Sequence, residues 1–197
     1  NVNILIIVMG IIAIIYSYSG GLKAVLWTDF IQGVVLIVGI ALTLVVMIAS
    51  INGGFGTVMD TLTTGHKFLL ENEVWFSSDI LSTSVFVILV GGGLTTFSSY
   101  VSSQDIVQRF TTTTDIKQLN KMTLGNGVLS IFAATVFYLV GTSLYVFYTQ
   151  NPDLLMTTRQ DLVFATYITY ELPAGITGIL LAAIFAASQS TLSTGIN

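Results

Sequence analysis

Five long apolar blocks dominate this sequence, spanning roughly residues 2–19, 30–51, 82–103, 124–148 and 174–197. A helix that crosses a bilayer needs about 20 mostly apolar residues, and each block provides them. Only 8% of the residues are charged and the mean hydropathy is +0.87, whereas charged residues make up about a quarter of a soluble domain. We therefore predict an all-α integral membrane protein with five transmembrane helices. A large buried soluble core is the alternative, but it fits such continuous apolar blocks poorly.

The polar stretches between the blocks predict the orientation of the helices. Five spans place residues 20–29 and 104–123 on one side of the membrane, with 52–81 and 149–173 on the other. The first side holds four of the six basic residues, namely Lys23, Arg109, Lys117 and Lys121. Because basic residues favour the cytoplasmic side, we expect the first and last helices to run inward.

Several kinds of protein are disfavoured by what the sequence contains. It has no cysteine and a single histidine, His66, which argues against thiolate or histidine metal sites. The sequence has no P-loop motif, which would be expected for nucleotide-driven transport. The apolar blocks contain no pair of catalytic side chains, and nothing in the sequence indicates a nucleic-acid partner. The sequence starts at Asn1 and stops at Asn197 in or at the end of a helix, so we expect residues 1–197 to be a single partial transmembrane domain of a non-enzymatic protein.

The third block changes character halfway along. Its apolar first half is followed by the triple glycine Gly91–Gly93 and then by a run of hydroxyl side chains that ends at Ser103. Glycine disfavours a helix by about 1 kcal/mol relative to alanine, and transporters place unwound helix segments at mid-membrane depth. We therefore predict a discontinuous or bent third helix, against the alternative of small residues at a tight helix crossing. Tyr100 in this polar half could contact a solute or could equally be an interfacial aromatic residue.

The last block carries an unusual set of hydroxyl groups for a lipid-facing segment. Helical periodicity places Ala187, Ser190, Thr191 and Thr194 on one face, with Ser193 at its border. Such a cluster suggests oxygen ligands for a desolvated hard cation, for which Na⁺ is the candidate. The alternative for each hydroxyl is a bond back to the carbonyl four residues earlier.

Asp29, at the predicted start of the second helix, has two interpretations. Its carboxylate could cap that helix, or it could be a partner for a cation. In the predicted orientation Asp29 and the hydroxyl cluster both lie towards the cytoplasmic side. Their lateral distance stays open at this point.

Three stretches together resemble the sodium:solute symporter family: Tyr18–Asp29 (YSGGLKAVLWTD), Ser103–Phe110 (SQDIVQRF) and Ala182–Asn197. The resemblance covers the whole chain. It implies a leucine-transporter-like fold of two inverted five-helix repeats with alternating access, in which this chain corresponds to core helices four to eight. The third block then matches the broken sixth core helix.

The resemblance also implies two sodium sites. The widespread site of the family matches the carbonyl of Ala187 with the hydroxyls of Ser190 and Thr191, and its other ligands come from the first core helix, which is absent here. A further site found in some members matches Asp29, Ser190, Ser193 and Thr194. One or two Na⁺ ions are thus the expected coupling ions.

The resemblance is greatest to bacterial sialic acid symporters, and it implies sodium-coupled import of a small organic solute, sialic acid, across the bacterial inner membrane. Tyr100 matches the aromatic residue of the sixth core helix that closes over the solute. Symport of another solute (a sugar, proline, pantothenate or inositol) and a transporter-like membrane sensor are the alternatives. The expected partners are the solute, the lipid bilayer and the missing helices of the full-length chain.

Overall fold

The computed structural model of the chain describes residues 2–64, 84–113 and 115–196. The described residues form seven α-helices: α1 Val2–Ser50, α2 Gly54–Thr64, α3 Val85–Ser102, α4 Gln104–Thr111, α5 Ile116–Gln150, α6 Val163–Tyr170 and α7 Ala174–Ile196. Four of them, α1, α3, α5 and α7, are long and apolar enough to cross a membrane.

Helix α1 is two helices joined at Gly21, where the backbone is non-helical with φ 57° and ψ −161°. We call residues 2–20 arm one and residues 22–50 arm two. Met9 and Asp29 would lie about 30 Å apart in a straight helix, yet they contact the adjacent residues Gln189 and Ser190 of α7. The two arms must therefore fold back at Gly21, and together with α3, α5 and α7 they give the five predicted apolar segments.

The structure interrupts its helices at other positions than the sequence predicted, in two places. Residues 20–29 are helical apart from Gly21, because Leu22, Lys23, Ala24 and Leu26 are good helix formers. The predicted break at Gly91–Gly93 was wrong, because α3 is continuous from Val85 to Ser102. An unpaired backbone group in a bilayer costs several kcal/mol, which exceeds the propensity cost of glycine. The break comes instead at Ser103, whose extended backbone (φ −74°, ψ 118°) separates α3 from α4.

The described residues divide into two compact units, one of residues 1–58 with 130–197 and one of residues 59–129. The core of the first unit is an apolar cluster from arm two, α2, α5, α6 and α7. At its centre the rings of Phe147, Tyr148 and Tyr167 pack edge to face with centroids 5.1–6.5 Å apart. Nearby, the backbone N–H of Asn52 donates to Gln150 Oε1 at 2.9 Å, and Gln150 Nε2 donates to the Asn52 carbonyl at 3.1 Å. These bonds join the ends of α1 and α5.

The second unit contains α3, α4 and the beginning of α5. Ser84 caps α3 by accepting a hydrogen bond from the backbone N–H of Val87 at 3.3 Å. Only Ser103 separates α3 from α4, and the two helices contact each other beside this junction. Most apolar residues of α3 are exposed within this chain.

Candidate functional site

Asp29 lies inside arm two rather than at a helix start. The helical backbone begins directly after Gly21, and the Thr28 hydroxyl bonds back to the carbonyls of Ala24 and Val25 at 3.1 and 2.9 Å. Neither residue therefore caps this helix. The Asp29 carboxylate is partly buried on the side of arm two that contacts α7.

Three hydroxyl groups of α7 meet the Asp29 carboxylate. The Ser190 hydroxyl donates to Asp29 Oδ1 at 2.7 Å and the Ser193 hydroxyl reaches the same oxygen at 3.5 Å. The Thr194 hydroxyl donates to Asp29 Oδ2 at 3.3 Å. Ser193 is completely buried. The structure thus brings together the four residues that the resemblance associates with the further sodium site.

Small residues make the approach of these two helices possible. A Cβ added at Gly39 of arm two would lie 3.0 Å from Ala183 Cβ and 3.6 Å from Leu180 Cα of α7. Asp29 precedes Gly39 in arm two by the same number of residues as Ser193 follows Ala183 in α7. Because the two helices run antiparallel, the tight crossing and the carboxylate contact therefore belong to one register. A short serine or threonine can therefore reach Asp29 across the interface.

The four side chains provide the chemistry of a hard monovalent cation site. Their ligand atoms are all oxygens, which suit alkali and alkaline-earth ions, and the single carboxylate balances one positive charge. Clusters of three or more His, Cys, Asp and Glu residues are absent from the described parts of the chain. Each hydroxyl can rotate to turn a lone pair towards a cation in place of its proton.

Ala187 and Thr191, unlike the three residues above, make no hydrogen bond with Asp29 in the structure. The Thr191 hydroxyl is exposed and donates to the Ala187 carbonyl at 3.1 Å, one turn earlier on α7. Ser188 likewise bonds back to the Ile184 carbonyl at 3.0 Å. The back-bonding alternative therefore describes these two hydroxyls, whereas Ser190 and Thr194 point to Asp29. The Ser193 hydroxyl does both, since it also donates to the Ser190 carbonyl at 3.0 Å. The Ser190 hydroxyl is on the Asp29 side, although Ser190 is adjacent to Thr191 in the sequence.

Tyr100 lies in the second unit beside a cavity of about 330 Å³, which is lined by Tyr100, Asp105, Ile106, Arg109, Phe110, Met122, Thr123 and Asn126. Asn126 Nδ2 donates to the Tyr100 hydroxyl at 2.6 Å. The Tyr100 ring lies 6.5 Å from the Phe110 ring at an interplanar angle of 32°. Tyr100 is thus a cavity-lining residue with fixed neighbours.

Three polar residues escaped the analysis of the sequence. Gln189 is buried on α7, and its Nε2 donates to the Met9 carbonyl of arm one at 3.2 Å. Gln32 lies one turn from Asp29, and its buried Oε1 accepts no hydrogen bond from the described residues. The sequence signal available for these two residues was a lone amide within an apolar helix. The third missed residue is Asn126, the partner of Tyr100, and its signal was a position between Gly125 and Gly127.

Comparisons with known proteins give a consistent picture. A family model described as the sodium:solute symporter family matches residues 1–197. The sodium/sialic acid symporter NanT of Aliivibrio fischeri is 34% identical over 196 residues, which cover 98% of this chain and 38% of NanT. The sodium/sialic acid symporter SiaT of Proteus mirabilis is 32% identical over 196 residues, covering 98% of this chain and 39% of SiaT.

A solved structure has the same fold. It is the substrate-bound outward-open state of a Na⁺-coupled sialic acid symporter, described as revealing a novel Na⁺ site, and it matches with a TM-score of 0.89 at 31% identity. The match covers 98% of this chain and 41% of that chain. The chain therefore spans about two fifths of the length of these relatives.

Proposed function

Since the chain belongs to the sodium:solute symporter family, we propose that the protein containing it is a sodium-coupled secondary active symporter. It imports a small organic solute by alternating access, and the solute is sialic acid. Residues 1–197 form one partial transmembrane domain of this transporter. The two sodium/sialic acid symporters and the solved symporter structure support the assignment of ion and solute.

The observation that carries this proposal is the contact of Asp29 with three hydroxyl groups of α7. We assign Asp29, Ser190, Ser193 and Thr194 as ligands of one Na⁺. An ion at this position replaces hydroxyl protons as the partner of the carboxylate and is itself held by oxygens from both helices. Binding of Na⁺ then stabilises the packing of arm two against α7.

A second Na⁺ is assigned to the carbonyl of Ala187 with the hydroxyls of Ser190 and Thr191. The remaining ligands of this site belong to the first core helix, which is not part of this chain. Ser190 contributes to both sites, so occupancy of one site affects the other. Moving one positive charge through about 100 mV releases about 2.3 kcal/mol. Two Na⁺ entering with one sialic acid carboxylate move a single net positive charge, so the membrane potential adds about 2.3 kcal/mol to the Na⁺ concentration gradient.

Alternating access links these ions to the solute. Na⁺ at the hydroxyl cluster holds α7 to its neighbours and favours the outward-facing state that binds solute. Opening to the inside hydrates the site and releases the ions. Tyr100 is assigned to solute binding, since it lines a cavity with polar and aromatic neighbours and matches the aromatic residue that closes over the solute in the family.

The experiment that tests this function is uptake of labelled N-acetylneuraminic acid into proteoliposomes that contain the full-length protein. We expect accumulation with an inward Na⁺ gradient and none with an equal K⁺ gradient. Accumulation independent of Na⁺ would refute the coupling ion. If uptake is absent while Na⁺ still protects the folded protein against heat, the scaffold stands and the solute is another one.

A further inference from the structure

The hydroxyl group of Tyr100 has a specific partner on the following membrane helix. Asn126 Nδ2 of α5 donates to Tyr100 Oη of α3 at 2.6 Å. The two residues are 26 positions apart, and both belong to the unit of residues 59–129. The bond therefore joins α3 to α5, the helices that precede and follow α4 in the sequence.

This bond determines what the tyrosine hydroxyl can do next. A phenol has one proton to donate and also accepts hydrogen bonds. When Asn126 donates to its oxygen, the proton of Tyr100 is left for another acceptor. The Phe110 ring lies 6.5 Å from the tyrosine ring, and the bond from Asn126 orients the hydroxyl with its proton directed to another acceptor.

Among the described residues the Tyr100 hydroxyl accepts the hydrogen bond from Asn126 and donates to none, so its proton is available to a ligand. Thr123 does not compete as a donor. The Thr123 hydroxyl, which lines the same cavity, donates to the Leu119 carbonyl at 3.0 Å. Its proton is thus already used within α5. Beside Tyr100 the cavity also presents the amide of Asn126 and the charged side chains of Asp105 and Arg109.

We propose that Asn126 is a positioning residue that holds the Tyr100 hydroxyl as a hydrogen-bond donor to the transported solute. The inference rests on the proposed function, in which Tyr100 contacts the solute. It also restricts the solute chemistry, because the group that meets Tyr100 must be an acceptor, such as a carboxylate, carbonyl or ring oxygen. Asn126 acts through Tyr100 and need not touch the solute itself.

Variants at both positions of the full-length protein test this inference. Tyr100→Phe removes the donor and should raise the KM for N-acetylneuraminic acid about 10-fold, and Asn126→Ala frees the ring and should raise the KM about 3-fold. Asn126→Asp should match Tyr100→Phe, because an ionised carboxylate only accepts and captures the tyrosine proton. In the Tyr100→Phe background, neither substitution at Asn126 should change KM further.

Asn120 provides the matched control, since it is an exposed asparagine on the same helix that does not line the cavity. Asn120→Ala and Asn120→Asp should leave KM unchanged. Na⁺-dependent heat protection is measured for every variant to show that it folds and binds Na⁺. Should Asn126→Ala not fold, Asn126→Asp keeps nearly the same volume and provides the same test.

The outcomes separate this inference from the proposed function. Unchanged KM in both Asn126 variants, or effects that add to that of Tyr100→Phe, would overturn the positioning role while uptake by the unsubstituted protein upholds the symporter. A KM that rises equally in Asn126 and Asn120 variants would mean a general effect of α5 and would also overturn it. Failure of the unsubstituted protein to take up N-acetylneuraminic acid would reject the assigned solute and the inference built on it.

Discussion

Ser190 is the α7 hydroxyl on which the proposed ion chemistry depends most. It makes the shortest contact with Asp29, at 2.7 Å, compared with 3.5 Å for Ser193 and 3.3 Å for Thr194. It is also adjacent in sequence to Thr191, which points away to the Ala187 carbonyl. Ser190 is assigned to both proposed sodium sites, whereas Ser193 is assigned only to the site at Asp29.

We expect Asp29→Ala and Ser193→Ala each to lower the Hill coefficient for Na⁺ in transport. Loss of a ligand at the Asp29 site leaves one ion to drive uptake, so the coefficient should fall from about two towards about one. The measurement is the initial uptake rate as a function of external Na⁺ concentration. An unchanged coefficient in both variants would mean that no second ion binds at Asp29.

Ser190→Ala should reduce transport more than Ser193→Ala, because only Ser190 is assigned to both sodium sites. The comparison is made on kcat/KM for solute at saturating Na⁺, with Ser188→Ala as the control. Ser188 bonds back to the Ile184 carbonyl and has no assigned role. Equal and mild effects of Ser190→Ala and Ser193→Ala would favour a packing role for these hydroxyls.

How much of this site could be predicted from the sequence differs between its residues. The period of the helix alone groups Ser190 with Thr194, which both contact Asp29. It also groups Thr191 with them, although that hydroxyl bonds back to Ala187, and it leaves Ser193 at the border, although Ser193 is buried. It says nothing about their partner, because Asp29 lies 161 residues from Ser190, and only the family resemblance paired them. Asn126 was missed, because its position between two glycines marks the residue but not its contact with Tyr100.

At the level of helices, the crossing of arm two and α7 determines whether the side chains can meet. Gly39→Val should lower the free energy of unfolding by about 1–3 kcal/mol, because its side chain would overlap Ala183. The measurement is thermal unfolding in detergent. Gly33→Val on the same helix is the control, as a Cβ there meets none of the described atoms within 4 Å apart from its own helical turn. Equal effects at both positions would show that the tight crossing is unimportant.

The packing of α6 predicts a pH effect. Burial raises the pKa of Tyr167 to about 12, with the Ser50 hydroxyl opposing this shift and the charge of Glu171 adding to it. The folded state therefore keeps this proton at a pH where the unfolded chain, with a tyrosine pKa of about 10, has lost it. The unfolding free energy should fall as pH rises from about 10 to about 12.

Tyr167→Phe should remove that part of the pH dependence. Thermal unfolding of both proteins at a series of pH values up to about 12 is the measurement, and Tyr170→Phe, which changes an exposed tyrosine of the same helix, is the control. A pH dependence that persists unaltered in Tyr167→Phe would contradict the assignment.

Apolar block length predicted the long helices, but it could not distinguish one glycine from another. Gly21 adopts φ 57° and lets α1 fold back, whereas Gly91–Gly93 stay helical. The difference arises from tertiary structure, since both arms around Gly21 contact α7. In α3 no described contact requires a bend at the glycines, and the helical hydrogen bonds are retained.

For the whole protein, a ligand that binds only the folded state raises its stability. At a Na⁺ concentration of 100 times the dissociation constant, one site adds about 2.7 kcal/mol. We expect Na⁺, compared with choline, to raise the melting temperature of the full-length protein. Asp29→Ala should reduce this increase, and an increase of the same size in that variant would place the stabilising ion elsewhere.

The reversal at Gly21 and the distance in sequence between Asp29 and α7 also have a consequence for biosynthesis. Both arms are made before α7, and Ser190 follows Asp29 by 161 residues. At about 5–20 residues per second, a ribosome needs about 8–30 s to bridge that interval. During this time the carboxylate of Asp29 lacks its hydroxyl partners and Met9 lacks the amide of Gln189. The order of translation therefore makes the arrival of α7 the step that completes the proposed ion site, after both arms have left the ribosome.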